Sequence, residues 1–241
     1  MKGLYDVHCH ILAGIDDGAA NKEVAKRMLQ SLYNDGVTNI IVTPHFRGGY
    51  YTPDKDKIDN AIGQLRELTK LVSEEMQIYP GCEIFWTSHS LERLQNKQIY
   101  SMAGSFYALA EFLPSVDYRQ IHSSMYELQC AGYTPIVAHA ERCECLFKYP
   151  EHIEELVRMG ACIQMNAGSI AGKGGLTMKW FCKKIMKKNL LHFVGTDAHD
   201  VGKRAPNMGE CAKVMSKTMG EAYTKKILIS NPSKIVRNEM L

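Results

Sequence analysis

Leu4-Tyr5-Asp6-Val7-His8-Cys9-His10 begins as an apolar run and ends in two histidines that are two positions apart. Side chains alternate between the two faces of a strand, so both histidines point to the same side. Near the other end of the chain, Phe193-Val194-Gly195-Thr196-Asp197-Ala198-His199 repeats the arrangement with an aspartate and a histidine. Two such pairs at strand ends predict that distant segments aim metal-binding side chains at one point.

Short β-rich runs alternate with segments of helical periodicity along the whole chain. The predicted strands cover residues 4–8, 38–43, 78–83, 106–111, 134–138, 161–165 and 192–195. The predicted helices cover residues 21–35, 54–75, 88–97, 117–131, 150–159, 175–189, 206–218 and 220–229. Seven strand–helix alternations predict one α/β domain over residues 1–241, with a parallel sheet that is closed or nearly closed. In such barrels the chemistry lies at the carboxyl ends of the strands.

Nine potential metal ligands fall at or near the ends of these runs. They are His8, His10, Asp17, His45, Glu83, Glu111, His139, Asp197 and His199. A single histidine after a strand is more often structural than a ligand, so the prediction depends on the whole set. A carboxylate such as Glu111 in an apolar strand is costly unless it is paired or binds a metal. The set therefore predicts a metal-dependent hydrolase.

Composition excludes several other classes of protein. The chain is 45 % apolar and 23 % charged, as in ordinary soluble proteins, and no apolar run approaches the roughly 20 residues of a membrane span. Its net charge of +3 is too small to predict nucleic-acid binding. The sequence enters a strand at once, so a secretory leader is not expected, and the eight scattered cysteines are expected to be reduced, as in a cytoplasmic protein. None has an arginine six residues later, which excludes the C-x5-R loop of thiol-based phosphatases.

The combined motifs resemble the polymerase-and-histidinol-phosphatase (PHP) superfamily. Its members carry H-x-H, T-x-H, a glutamate and D-x-H on a distorted (β/α)7 TIM-like barrel, and Thr43-Pro44-His45 matches the second motif. The similarity extends to one branch, the manganese-dependent protein-tyrosine phosphatases of bacterial capsule and exopolysaccharide operons. The matching segments are Ile15-Asp16-Asp17-Gly18, Ala110-Glu111-Phe112, His139-Ala140-Glu141-Arg142 and Arg204-Ala205-Pro206.

This resemblance implies a centre of three divalent metal ions. It places His8, His10, Glu83 and Asp197 on the first ion, bridging Glu83 with Glu111 and His139 on the second, and Asp17, His45 and His199 on the third. Asp16 is an alternative to Asp17, although the spacing from His10 favours Asp17. Because imidazole suits transition metals, manganese or iron is favoured over magnesium, and zinc is a further alternative.

The resemblance also implies a phosphotyrosine-protein phosphatase. Its substrate would be an autophosphorylated bacterial tyrosine kinase that controls polysaccharide export and has a tyrosine-rich C-terminal tail. The metal ions would lower the pKa of a bridging water toward about 7, so that hydroxide attacks phosphorus directly. Arg142 and Arg204 would grip the phosphoryl oxygens as planar guanidinium groups. Arg47 and Tyr50, in the glycine-containing loop after His45, are further candidates for contacting the peptide.

Three alternative functions share parts of this pattern. A histidinol-phosphate or other small-molecule phosphatase uses the same metal chemistry, but Glu111 and the early Asp17 fit it less well. A PHP nuclease would need a basic groove, which the small net charge does not favour. A metal-stabilised binding module without turnover has no need of adjacent cations and two free arginines.

Overall fold

The computed structural model describes residues 1–241 and has an α/β fold with a curled parallel sheet. The strands are β1 (Leu4–Cys9), β2 (Val37–Val42), β3 (His45–Phe46), β4 (Gln77–Tyr79), β5 (Glu83–Phe85), β6 (Tyr107–Glu111), β7 (Thr134–Val137), β8 (Cys162–Asn166) and β9 (Phe193–Gly195). The helices are α1 (Lys22–Asn34), α2 (Lys55–Lys70), α3 (Ser90–Gln95), α4 (Tyr118–Cys130), α5 (Glu144–Lys148), α6 (Pro150–Arg158), α7 (Ala167–Ala171), α8 (Gly175–Lys187), α9 (Met208–Met219), α10 (Glu221–Lys225) and α11 (Asn231–Val236). Short 3₁₀ turns cover Met102–Gly104 and Ala140–Arg142, and a π-helical turn covers Lys226–Ser230.

The strands form two hydrogen-bonded sheets in which every pair is parallel. One has the order β1-β2-β4 and the other β3-β5-β6-β7-β8-β9. The predicted strand at 38–43 corresponds to β2, and after Pro44 the chain forms the separate short strand β3. The predicted strand at 78–83 is interrupted, because Pro80 falls where β4 ends and β5 starts only at Glu83. Proline has no backbone N–H and cannot donate to a strand ladder, so each run changes sheets at that point.

The first and last strands adjoin and connect the two sheets. The backbone N–H of His10 donates to the carbonyl of Ala198 at 2.9 Å, and that of Asp197 donates to the carbonyl of His8 at 2.7 Å. The buried carboxylate of Asp6 accepts from the backbone N–H of Thr196 at 2.8 Å. These bonds bring the H-x-H and D-x-H motifs side by side at the carboxyl edge, as the sequence predicts.

The helices pack their apolar faces on the outside of the sheet. In α1, Ala25, Met28, Leu29 and Leu32 recur at helical spacing and are buried, and the Asn21 side chain caps the helix by accepting from the N–H of Val24. Helix α2 ends at Lys70, five residues before its predicted end at 75, because turns follow and the next apolar residue, Leu71, is exposed. None of the helices combines the length and the apolar character that a membrane crossing requires.

Candidate metal centre

A cavity of about 390 Å³ opens at the carboxyl edge of the strands. Eleven side chains from six stretches of the chain line it. They are Asp17, His45, Arg47, Tyr50, Tyr51, Glu83, Glu111, His139, Arg142, Asp197 and Arg204. The remaining ligand candidates, His8, His10 and His199, lie beneath its floor and are buried. All nine residues predicted as ligands therefore converge on one place.

The deepest cluster contains the H-x-H pair. The Nε2 atoms of His8 and His10 face each other at 3.1 Å, and Glu83 Oε2 lies 3.2 Å from both. Asp197 Oδ1 lies 3.9 Å from His8 Nε2 and 3.6 Å from His10 Nε2. Two imidazole lone pairs and two carboxylates at these separations match ligands that surround one divalent ion.

Buried hydrogen bonds fix the tautomers of these two histidines. Gln164 Oε1 lies 3.2 Å from His8 Nδ1, and Asp16 Oδ2 lies 2.8 Å from His10 Nδ1. Because both oxygens are acceptors, they place the ring proton on Nδ1 and leave Nε2 free for a metal. Asp16 thus orients a ligand candidate, His10, whereas Asp17 faces the cavity.

A second cluster is built around Glu83 and Glu111. His139 Nε2 lies 2.8 Å from Glu83 Oε1 and 3.8 Å from Glu111 Oε1. His45 Nδ1 approaches the other carboxylate oxygens, at 2.9 Å from Glu83 Oε2 and 3.7 Å from Glu111 Oε2. The ligand atoms of His45, Glu83 and Glu111 form a group in which all lie within 4.8 Å of one another. Both histidines thus reach the carboxylate pair that the resemblance assigns to His139 alone.

The third cluster joins Asp17 to His45 and His199. Asp17 Oδ1 lies 3.4 Å from His45 Nε2 and 3.5 Å from His199 Nε2, and His10 belongs to the same group. His199 Nδ1 donates to the backbone carbonyl of Asp197 at 3.0 Å, so its Nε2 carries the lone pair. That Nε2 atom is buried without a hydrogen-bond partner, as is Glu111 Oε2. Buried polar atoms of this kind normally have a partner, so their donor chemistry fits a bound cation.

The pKa values of the buried groups in this centre depend on the charges of their neighbours. Burial alone would lower the pKa of His10, but the Asp16 and Glu83 carboxylates outweigh it and hold that pKa well above its ordinary value. Burial alone would raise the pKa of Asp16, but the hydrogen bond and charge of His10 lower it to about 2. The pKa of Glu111 is raised by its burial and by the nearby charge of Glu83. Carboxylates packed this closely need compensating positive charge.

Two arginines cover the clusters from the solvent side. Arg142 donates to Asp197 Oδ2 and Arg204 to Asp197 Oδ1, each at 2.8 Å. Both guanidinium groups remain partly exposed at the cavity wall. Arg142 therefore pairs with a ligand candidate.

Backbone geometry supports these placements. His139 and Asp197 have φ values of +30° and +52°, in the left-handed region that non-glycine residues rarely adopt. Such conformations cost on the order of 1 kcal/mol or more and cluster at functional sites. At Gly195 the chain passes so close to β1 that a Cβ atom would lie 2.2 Å from the Cβ of His8.

The loop after β3 forms the cavity rim. The Arg47 guanidinium lies 4.7 Å from the ring centre of Tyr50 and 4.4 Å from that of Phe85. The Tyr51 ring stacks on His45 with centroids 5.8 Å apart. Arg47 and Tyr50, named from the sequence, therefore both line the cavity rim, and Tyr50 is 74 % exposed.

The sequence analysis did not identify Gln164, the buried amide beneath the ligand candidates. Gln164 Oε1 also accepts from the backbone N–H of His139 at 2.7 Å, and its Nε2 donates to Asn166 at 3.0 Å. Asn166 in turn donates to Asp197 Oδ2 at 2.8 Å. A polar residue inside the apolar run Ala161-Cys162-Ile163-Gln164-Met165 was the available indication, because a buried amide needs partners.

Comparison with known proteins gives matches along nearly the whole chain. CpsB of Streptococcus pneumoniae, named a tyrosine-protein phosphatase, is 32 % identical over 99 % of this chain and 100 % of its own. YwqE of Bacillus subtilis (strain 168), named likewise, is 32 % identical over 99 % of this chain and 93 % of its own. A crystal structure from the work on these two proteins, described as unique metal-dependent tyrosine phosphatases, superposes with a TM-score of 0.92 and 31 % identity, covering 99 % and 96 % of the chains.

The family model described as "Capsular polysaccharide synthesis, CpsB/CapC" matches residues 4–237. This range contains all nine ligand candidates and both arginines of the cavity wall. The chain therefore belongs to the CpsB/CapC family of capsular polysaccharide synthesis proteins.

Proposed function

We propose that this protein is a metal-dependent phosphotyrosine-protein phosphatase. The observation that carries the proposal is the convergence of three overlapping groups of metal-binding atoms beneath Arg142 and Arg204 in one open cavity. The tyrosine-phosphatase names of CpsB and YwqE, which match nearly the whole chain, supply the substrate class.

The residue assignment follows the family resemblance and is supported by the distances within the centre. We assign His8, His10, Glu83 and Asp197 to one ion, Glu83, Glu111 and His139 to a second, and Asp17, His45 and His199 to a third, with manganese as the favoured metal. His45 also reaches the second position through its Nδ1 atom. Divalent ions in such a centre polarise phosphoryl oxygens and activate water for in-line displacement.

The protein's own groups bind and orient the phosphate. Arg142 and Arg204 line the wall with partly exposed guanidinium groups, whose paired N–H donors suit two phosphoryl oxygens each. Their present partner, Asp197, keeps them at the cavity. A phenol leaving group has a pKa near 10, so phosphotyrosine needs no strong acid to depart. Arg47 and Tyr50 at the rim would contact the peptide.

The arrangement of the strands supports a proposal about the architecture of the sheet. We infer that β2 with β3 and β4 with β5 are each one interrupted strand, which makes the sheet a distorted (β/α)7 barrel within a single domain over 1–241. The hydrogen bonds between β1 and the segment after β9 support closure. The partner would be a bacterial tyrosine kinase phosphorylated on a tyrosine-rich tail, and a cytoplasmic location stays a prediction from the sequence.

The decisive experiment measures metal content and turnover together. Wild-type protein loaded with manganese should contain two to three ions per chain by elemental analysis and should hydrolyse a phosphotyrosine peptide. His45→Ala should lose at least one ion and most of the activity while its circular dichroism is unchanged, because His45 reaches two of the three groups. His122→Ala, at a partly exposed histidine on α4 outside the centre, is the matched control and should retain both.

Arg142→Ala separates phosphate binding from metal binding. It should retain the ions and lose most of the turnover, since the guanidinium donates to a ligand candidate without being one. Loss of the metals in this variant would refute that division of roles. A higher kcat/KM for histidinol phosphate than for the phosphotyrosine peptide would favour the small-molecule phosphatase instead.

A further inference from the structure

A second cavity, of about 300 Å³, adjoins the metal centre on its other side. It shares Arg142, Asp197 and Arg204 with the first cavity and extends away from the metal ligands toward α7 and the segment before α9. The residues that it adds include Lys173 and Lys203. The layer formed by Asp197 and the two arginines thus separates two compartments, and only one of them contains the ligand clusters.

The second cavity has a strongly positive lining. Four cationic side chains border it, and Asp197 is the only carboxylate among its lining residues. That carboxylate already accepts from both arginines and from the Asn166 amide. Lys173 and Lys203 are therefore left facing the cavity without a carboxylate there to neutralise them.

Lys173 is held in position by a buried amide. With its side-chain oxygen turned toward Lys173 and Gly168, the orientation that satisfies both donors, Asn207 accepts from Lys173 Nζ at 3.1 Å and from the N–H of Gly168 at 3.3 Å. Asn207 is only 8 % exposed. The backbone N–H of Lys173 donates to the carbonyl of Gly168 at 2.9 Å, which closes the turn. An amide oxygen partner orients the ammonium group but leaves its charge uncompensated.

Lys203 lies on a turn with a defined shape. Asp200 Oδ1 accepts from the backbone N–H groups of Gly202, at 2.6 Å, and Arg204, at 3.1 Å. This turn places Lys203 next to Arg204. The same segment therefore supplies Arg204, which lines both cavities, and Lys203, which lines only the second. The two lysines thus reach the cavity from different parts of the chain, each on an ordered turn.

We propose that this cavity is a subsite for an anionic side chain that neighbours the phosphotyrosine in the substrate. The ligand chemistry is a carboxylate or a second phosphate, and Lys173 and Lys203 are its specificity-determining residues. The inference rests on the proposed function, because the phosphotyrosine itself occupies the first cavity. A peptide crossing the arginine layer would place an adjacent residue against the lysines.

The test compares matched phosphotyrosine peptides with 4-nitrophenyl phosphate on the manganese-loaded protein. The peptides carry alanine, glutamate, lysine or a second phosphotyrosine at positions on either side of the target. We expect kcat/KM to rise about threefold to tenfold when an anionic neighbour replaces alanine, and to fall with lysine. Preference for both anions indicates a general anion subsite, and preference for the second phosphotyrosine alone assigns it to phosphate.

Substitutions locate the effect. The double variant Lys173→Gln/Lys203→Gln should lose the preference while its rate on 4-nitrophenyl phosphate stays within twofold of wild type. Lys184→Gln/Lys187→Gln removes the same charge from the exposed outer face of α8 and should keep the preference. Equal kcat/KM for all peptides, or an unchanged preference in the first double variant, would overturn the subsite.

The outcome also separates this inference from the proposed function. If 4-nitrophenyl phosphate and all peptides are turned over and the residue next to the phosphotyrosine has no effect on kcat/KM, only the subsite is refuted. Absence of turnover on every phosphoester sinks the proposed function. In that case, fluorescence anisotropy with the same peptides still reports whether the two lysines favour anionic neighbours, and equal binding of all of them would sink the subsite too.

Discussion

Replacing Gln164 by leucine should weaken metal binding without touching a ligand. Gln164 is fully buried, and its Oε1 atom accepts from the backbone N–H of His139 at 2.7 Å and faces His8 Nδ1 at 3.2 Å. Leucine has a similar volume but no acceptor, so two buried donors lose their partner. Each such donor costs about 1–3 kcal/mol, which predicts a loss of about 2–6 kcal/mol in the free energy of unfolding of the metal-free protein.

The same change should release the orientation of His8. Without an acceptor at Nδ1, the ring no longer favours the tautomer that presents Nε2 to a metal. Removing a group that orients a ligand in this way typically lowers metal affinity about 10- to 100-fold. Activity should therefore fall at limiting manganese and recover in large part at saturating manganese.

Two assays check this prediction. Urea unfolding in the presence of a chelator gives the stability of the metal-free protein, and manganese titration against a competing chelator gives the affinity. Gln120→Leu, at an exposed position of α4, is the control and should change neither. Wild-type manganese affinity in Gln164→Leu would refute the orienting role, and a loss of stability alone would reduce Gln164 to a structural residue.

Three further predictions concern other parts of the chain. Gly195→Ala should destabilise the protein by about 3 kcal/mol or more in urea unfolding, since the new Cβ would lie 2.2 Å from the Cβ of His8. The control Gly63→Ala, in open space on α2, should be neutral or stabilising by up to about 1 kcal/mol. Asp17→Asn should lose one metal ion per chain by elemental analysis with unchanged metal-free stability, whereas Asp16→Asn should lower that stability; the reverse pattern would exchange their roles. Burial and the charge of Lys226 lower the pKa of His192 from 6.5 to about 4. The neutral ring therefore contributes about 3 kcal/mol to the free energy of unfolding, and this contribution is complete above pH 6.5 and is lost as pH falls toward 4. His192→Asn should flatten that part of the curve of stability against pH.

The sequence predicted which residues converge at the centre, because the ends of the strands can be located from its short apolar runs. Each ligand candidate closes or follows a short apolar run, and parallel strands bring such ends to one edge. The interruption at Pro80 and the additional short strand β3 after Pro44 were not predicted, although a proline inside a strand weakens the assignment of a continuous strand. The early end of α2 was not predicted either, because the helical apolar spacing continues to Val72 while the chain turns after Lys70.

The groups that orient the ligands could not be predicted in the same way. Gln164 acts on His139 from the neighbouring strand and on His8 from 156 positions away. Asp6 accepts from the N–H of Thr196, 190 positions along the chain. Such pairings depend on which strands adjoin, and a strand's own sequence does not specify its neighbour.

The hydrogen-bond donors around Asp16 and Asp17 distinguish the roles of these adjacent carboxylates, which the sequence spacing leaves open. The Asp16 carboxylate lies 2.8 Å from His10 Nδ1 and accepts from the backbone N–H groups of Gly18 and His45, each at 2.9 Å. A carboxylate with three donors at hand has little left to offer a metal ion. Asp17 faces the ring nitrogens of two histidines, and one of them, His199 Nε2, has no other partner. Because His199 Nε2 carries a lone pair, a cation between it and the Asp17 carboxylate would satisfy both groups, so we assign Asp17 as the proposed metal ligand and Asp16 as the residue that orients His10.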